Sequence, residues 1–269
     1  MQDPNHEPPT PGCVAVILPA AGSGRRFGSE QNKLFAQIAG KPLWYRAAER
    51  LRHRSEVGPI VMAVSKADLP RFQQEERALV DSLNIQCVIG GAERTDSVRA
   101  GLDALAAAES SGASESSGAS ESSTASESST ASDRAEAIRF VAVHDAARPL
   151  VPDADLAAVF ASASQTGAAI LATPVSGTLK RTPDHGRTST TVDRRDMWTA
   201  LTPQVFRIDL LRRAYERYRG RPATDDAELV ERIGHAVSLI RGSAENIKIT
   251  HPEDLLIAEA VYARQNENA

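Results

Sequence analysis

Short apolar runs alternate with longer amphipathic stretches over most of the chain. Residues 14–18, 60–64, 85–89, 140–143 and 168–173 are brief, mostly apolar and rich in β-branched side chains. Such runs predict strands buried on both faces. A shorter one spans 237–240. Between them apolar residues recur at helical spacing. Pro42 fits the first turn of a helix over LWYRAAERLRHR, which ends near Gly58-Pro59. Further helices are predicted over 68–83, from Arg94, Asp96 and Ser97 with Val98, Leu102 and Leu105 on one face, and from Asp153. The last ones cover 210–218, TDDAELVER and 252–263. Strand alternating with helix predicts an α/β, Rossmann-like fold: a mainly parallel twisted sheet with helices on both faces.

Four segments break this pattern. Residues 1–12 are polar and proline-rich, which predicts an unstructured tail, and 265–269 form a second short tail. Residues 109–132 are four hexapeptides, ESSGAS twice and ESSTAS twice. A left-handed β-helix needs an aliphatic residue in each turn, and these repeats offer only Ala. They predict a disordered serine-rich insert over 109–133 within a single domain of 13–264. Residues 174–198 hold two polar, β-branched stretches around Pro-Asp-His-Gly. That predicts a two-stranded hairpin standing off the body, marginal alone and so packed on a partner.

Composition narrows the function. The chain has 269 residues and a net charge of -4, which argues against non-specific nucleic-acid binding. Aromatic residues make up 4%, too few for stacking platforms on single strands. Cys13 and Cys87 lie far apart beside apolar runs and read as buried thiols. No signal-peptide core or membrane-length apolar run is present, so the expected location is the cytoplasm.

The candidate chemistry centres on residues 18–41. After the first strand come Gly22, Ser23 and Gly24, then Arg25, Arg26 and Lys33. A glycine-rich turn that follows a strand and carries several cations suits a polyphosphate. It is not a Walker A loop, which closes on Gly-Lys-Ser/Thr, nor a dinucleotide fingerprint, since Gly28 comes one place late. Three more clusters fall at predicted strand ends: 90–97, 145–148 and 245–248. Ligands of doubly wound sheets bind at such ends.

LPAAGSGRRFG, GGAERTDSV, VHDAARP, TVDR, LTPQVF, TDDAELVE and NIKITHPEDL occur in one order. In that order they resemble the 2-C-methyl-D-erythritol 4-phosphate cytidylyltransferase family over residues 13–264, apart from the insert. The resemblance implies that the phosphate of methylerythritol phosphate attacks the α-phosphate of CTP and releases pyrophosphate. It implies Arg26, Lys33, Arg194 and Lys248 as catalytic cations. It implies nucleotide binding at Ala20, Ala21, Gly22, Gly24, Gly91 and Ser97. Acceptor binding is implied at Asp145, Arg148, Thr178, Arg194, Thr224 and Lys248.

No metal ligand from the protein is implied, with Mg2+ or another divalent cation carried mainly on the CTP phosphates. The 174–198 hairpin is implied to be a dimerisation arm that completes the partner's site, with no nucleic acid and no membrane as partner. The chain stops at Ala269, which reads as monofunctional. Asn32 stands where the family usually has proline, and Leu34 where glutamine or alanine is common. The competing readings are a ribitol 5-phosphate cytidylyltransferase and a non-catalytic nucleotide-binding homologue.

Overall fold

The computed structural model describes residues 9–22, 32–115, 138–183 and 186–267. The chain begins with β1 (Val14–Ala20). A 3-10 turn (Lys33–Phe35) and a small ladder of β2 (Gln37–Ile38) and β3 (Lys41–Pro42) follow the glycine-rich stretch. Next come α1 (Leu43–Arg52), β4 (Val57–Val64), α2 (Leu69–Gln73), α3 (Arg77–Ser82), β5 (Ile85–Ile89) and α4 (Arg94–Glu115). The second half runs β6 (Phe140–Val143), α5 (Asp153–Thr166), β7 (Ala168–Pro174), β8 (Leu179–Arg181), β9 (Thr190–Val192) and β10 (Trp198–Arg207). It ends with α6 (Ile208–Glu216), α7 (Asp226–Arg232), β11 (Ser238–Arg241) and α8 (Asp254–Glu267).

Seven strands form one sheet in the order β11-β7-β10-β6-β1-β4-β5. All neighbours are parallel except β10, which is antiparallel to β6 and β7. The chain builds outward from β1 through β4 to β5, then returns to place β6 on the other side of β1. The order therefore reverses between β1 and β6. The continuous apolar run in β1 is explained by the period of two. Val14, Val16 and Leu18 pack on one face with Trp44, Leu51 and Phe160. Ala15 and Ile17 pack on the other with Val98, Leu102 and Leu105 of α4. A Cβ at Gly101 would lie 2.7 Å from Ile17 Cγ2. Only glycine lets α4 approach the sheet this closely.

Several boundaries differ from the sequence expectations. The expected helix over 68–83 is two short helices, α2 and α3. LTPQVF lies in β10, a strand that the apolar pattern does not announce. The expected N-terminal tail through residue 12 is corrected at its end: Gly12 N–H donates to Ser55 carbonyl at 2.9 Å. The expected insert from residue 109 is corrected too, because α4 continues to Glu115 and Glu109 pairs with Arg212 at 3.0 Å. Ala and Glu in the first repeat are good helix formers, so the helix extends through it. The C-terminal tail from 265 is helical to Glu267, and Gln265 donates to the Leu150 carbonyl at 3.2 Å. The rest of the tails and of the insert lies outside the described residues.

β8 and β9 form their own antiparallel ladder, pairing Leu179 with Val192 and Arg181 with Thr190. It springs from the far ends of β7 and β10, where Pro174 pairs with Trp198. No described residue between 175 and 197 is buried. Among the described residues no helix is long and apolar enough to cross a membrane.

Candidate active site

A cleft of about 500 Å³ opens at the carboxyl ends of the strands, around the point where strand order reverses. This is where open α/β sheets bind ligands. Ala20, Ala21 and Gly22 at the end of β1 form one wall. Gly91 to Glu93, after β5, with Arg94 and Ser97 of the first turns of α4, form a second. Asp145 to Ala147 follow β6, and Lys248 and Thr250 close the cleft from the loop before α8. The backbones meet tightly: a Cβ at Gly90 would lie 2.7 Å from Ser97 Oγ and 2.9 Å from Ala21 Cβ. α4 starts with a half capping box, the Glu93 N–H donating to Asp96 Oδ2 at 3.0 Å.

Cations from opposite ends of the chain converge here. Lys33 Nζ donates to the Ile249 carbonyl at 2.7 Å, beside Lys248. Lys248 Nζ lies 2.8 Å from Asp145 Oδ2. Arg148 Nε lies 3.4 Å from the same oxygen, and Arg94 Nε 3.6 Å from Oδ1. Burial pushes the Asp145 carboxyl up, but Lys248, Arg94 and Arg148 outweigh it and hold it well below the usual carboxylate range. Asp145 is thus ionised and fixed, with positive charge in excess around it.

Buried polar contacts set these side chains. Arg148 Nη1 donates to the Asn246 carbonyl at 2.7 Å, and Asn246 Nδ2 donates to the Thr202 carbonyl at 2.8 Å. Ile249 N–H donates to the Ala147 carbonyl at 2.9 Å, and Ile249 packs in a cluster with Ile38, Leu43 and Leu150. Lys248 is therefore carried on a loop pinned on both sides. Thr202 Oγ accepts the Asp145 N–H at 3.0 Å, so its own proton goes to His144 Nδ1 at 3.1 Å. The other ring nitrogen, Nε2, then carries the hydrogen and donates to the Arg148 carbonyl at 3.0 Å. Burial pulls the His144 pKa down to about 4, so the ring is neutral near pH 7.

Arg94 reaches further, to Asp226 Oδ2 at 2.6 Å. Asp226 is fully buried at the start of α7 and also accepts from Tyr215 Oη at 2.6 Å. Gln204 of β10 accepts the Asp226 and Ala227 N–H groups at 3.1 and 3.0 Å. Asp225 caps the helix through the Glu228 N–H at 2.9 Å.

Of the sequence-derived candidates, Ala20, Ala21, Gly22, Lys33, Gly91, Ser97, Asp145 and Lys248 line one cleft, and Arg148 sits behind Asp145. Gly24 and Arg26 lie outside the described residues. Thr178, Arg194 and Thr224 do not line the cleft. Thr178 and Arg194 are exposed on the arm, where Arg194 Nη1 donates to the Ser176 carbonyl. Thr224 is exposed before α7, its N–H donating to Glu228 Oε2 at 2.8 Å. His144, Thr202, Gln204, Asn246 and Asp226 stand inside VHDAARP, LTPQVF, NIKITHPEDL and TDDAELVE, but nothing local in those motifs announces their supporting contacts, most of which reach distant parts of the chain. Arg94 stands inside the GGAERTDSV motif, yet nothing local in the chain points to its two aspartate partners.

The fold and cleft define a Rossmann-like α/β protein with a cationic site at the switch point. A family model for 2-C-methyl-D-erythritol 4-phosphate cytidylyltransferase matches residues 14–111 and 117–264. The chain is 53% identical to the protein of that name from Rhodopirellula baltica over 250 residues, covering 92% of this chain and 94% of that one. It is 36% identical to the one from Syntrophotalea carbinolica, covering 92% and 95%. The crystal structure of the enzyme from Thermus thermophilus is similar with a TM-score of 0.66 at 32% identity, covering 92% of this chain and 98% of that one. The chain belongs to the 2-C-methyl-D-erythritol 4-phosphate cytidylyltransferase family.

Proposed function

We propose that this protein transfers the cytidylyl group of CTP to 2-C-methyl-D-erythritol 4-phosphate in isoprenoid precursor synthesis, with residues 13–264 as one catalytic domain and the cytoplasm as its compartment. The observation that carries the reading is the meeting of Lys33 and Lys248 in a cleft at the switch point. A phosphate oxygen of the acceptor attacks the α-phosphorus of CTP. The new P–O bond forms as the bond to the β-phosphate bridging oxygen breaks, and pyrophosphate leaves. The acceptor phosphate is already an anion, so no general base is required. The barrier is the approach of two anions, which calls for fixed positive charge and positioning.

Lys33 and Lys248 serve the reacting phosphates, together with Arg26. Backbone and side-chain groups at Ala20, Ala21, Gly22, Gly24, Gly91 and Ser97 hold the nucleotide. Asp145, kept ionised by its cations, accepts acceptor hydroxyls, with Arg148 behind it; Thr224, implied by the resemblance, would have to reach the acceptor from outside the cleft lining. Among the described residues no group of three or more His, Cys, Asp or Glu side chains could hold a metal ion, and Asp145 is engaged with cations. The divalent cation implied by the resemblance would arrive mainly on the triphosphate oxygens. Bound there, Mg2+ would offset the negative charge that the two phosphates bring together.

The arm supports a homodimer. A hairpin with no buried residue among those described is marginal alone, and two-fold symmetry would bring Thr178 and Arg194 of one chain to the acceptor pocket of the other. The test of the activity is pyrophosphate release from CTP with methylerythritol phosphate, compared with ribitol 5-phosphate. Faster release with ribitol 5-phosphate would overturn the assignment of acceptor.

A further inference from the structure

Asn32 ends the glycine-rich stretch and is the residue just before Lys33. Its backbone has φ -61° and ψ 128°, a φ that a proline ring would impose. Asparagine has no ring to enforce that angle, and its side chain is bonded at both ends. Oδ1 accepts the Leu34 N–H at 3.1 Å. Nδ2 donates to Asp68 Oδ2 at 2.9 Å and lies 3.4 Å from the Gly22 carbonyl. Asp68 is itself fixed. Its Oδ2 accepts from the Ser65 hydroxyl at 2.7 Å, and its N–H donates to Ser65 Oγ at 3.0 Å. Ser65 directly follows β4, the neighbour of β1. One amide group thus joins Gly22, where the stretch leaves the sheet, to the place where it returns, and both to the end of β4.

We propose that Asn32 is a positioning residue which, through Asp68 and Ser65, sets the backbone that delivers Lys33 to the cleft. Hydrogen bonds here do what ring stiffness does when proline occupies the position. Lys33 then depends on an aspartate 36 positions away from Asn32, a dependence that proline would remove. The inference rests on the proposed function only where turnover is the readout.

Two readouts on the full-length protein test it. The first is amide hydrogen exchange of Leu34 and Phe35, whose N–H groups donate to Asn32 Oδ1 and to the Asn32 carbonyl. Asn32→Ala and Asp68→Ala should each speed exchange there by about tenfold, the scale of one lost hydrogen bond. The second is steady-state kinetics. Both variants should lower kcat by about tenfold and leave KM for the acceptor within about twofold. The double variant should be no worse than either single one.

Asn32→Pro provides the decisive background, because Asp68→Ala should there change kcat by less than about twofold. The inference is overturned if Asn32→Ala leaves exchange unchanged, or if Asp68→Ala costs as much in the Asn32→Pro background as in the parent protein. If the parent protein transfers no cytidylyl group, the functional reading fails and the exchange data alone decide the role of Asn32.

Discussion

At the cleft, charged groups are held by one another and by pinned backbone. Asp145 faces Lys248, Arg94 and Arg148, and the loop carrying Lys248 is pinned by Asn246 and Ile249. The arm is built differently. Among the described residues its β8 and β9 pair with each other, residues 193 to 200 are all exposed, and Arg194 donates to the Ser176 carbonyl. Met197 and Trp198 stand 38% and 39% exposed at its base. One region is organised before any ligand arrives, as electrostatic catalysis demands. The other has no buried residue among those described between 175 and 197.

Breaking the organised region has the largest expected effect. Lys33→Ala should lower turnover by about two to three orders of magnitude, the scale for one preorganised charge. Lys33 is half of the convergence on which the site rests, and the arm should be unaffected. Near-normal turnover in a folded Lys33→Ala protein would remove this residue from the mechanism.

The next effect is pH-dependent. Burial lowers the His144 pKa to about 4, below the ordinary value of about 6.5. Between these values the unfolded chain binds more protons than the folded one. Stability from this group is complete above about pH 6.5 and is lost as pH falls towards 4, by about 3 kcal/mol at most. Asp145, depressed in the fold, adds its loss only below about pH 4. Denaturant titrations at several pH values should show this slope, and His144→Gln should flatten it. An unchanged slope in that variant would assign the titration to another group.

The smallest effect concerns the serine-rich repeats. Replacing residues 116–132 by a Gly-Ser linker of equal length should change stability by about 1 kcal/mol or less, since Ala is the only apolar residue they offer. Moving the cut back to 109 should cost more, because it removes the end of α4 and the Arg212–Glu109 pair. Equal effects of the two cuts would show that this helical extension contributes nothing.

These regions also differ in how far the sequence reveals them. Strands buried on both faces, such as β1 and β6, are legible because their residues are apolar throughout. The arm is legible from its β-branched polar stretches. β10 is not. Thr202, Pro203 and Gln204 interrupt its apolar pattern, and two of these polar side chains are buried against partners from other elements. The irregular register of β10 between Ala200 and Gln204 hides it further. Lys33, Asp145 and Lys248 could be picked out as strand-end charges. His144 could not, since its role is defined by Thr202, 58 positions away. Local propensity reports elements; it does not report which distant residue satisfies a buried polar atom.

Subunit complementation tests most directly the proposal that a cleft built by one chain is completed by Arg194 of a second. Lys33→Ala and Arg194→Ala proteins, each nearly inactive, are mixed under conditions of proven subunit exchange. With random exchange half of the dimers are mixed, and one of the two sites in each has both residues intact. Activity should therefore recover to roughly one quarter of the sites. No recovery would show that Arg194 acts within its own chain or not at all, and would contradict the shared site.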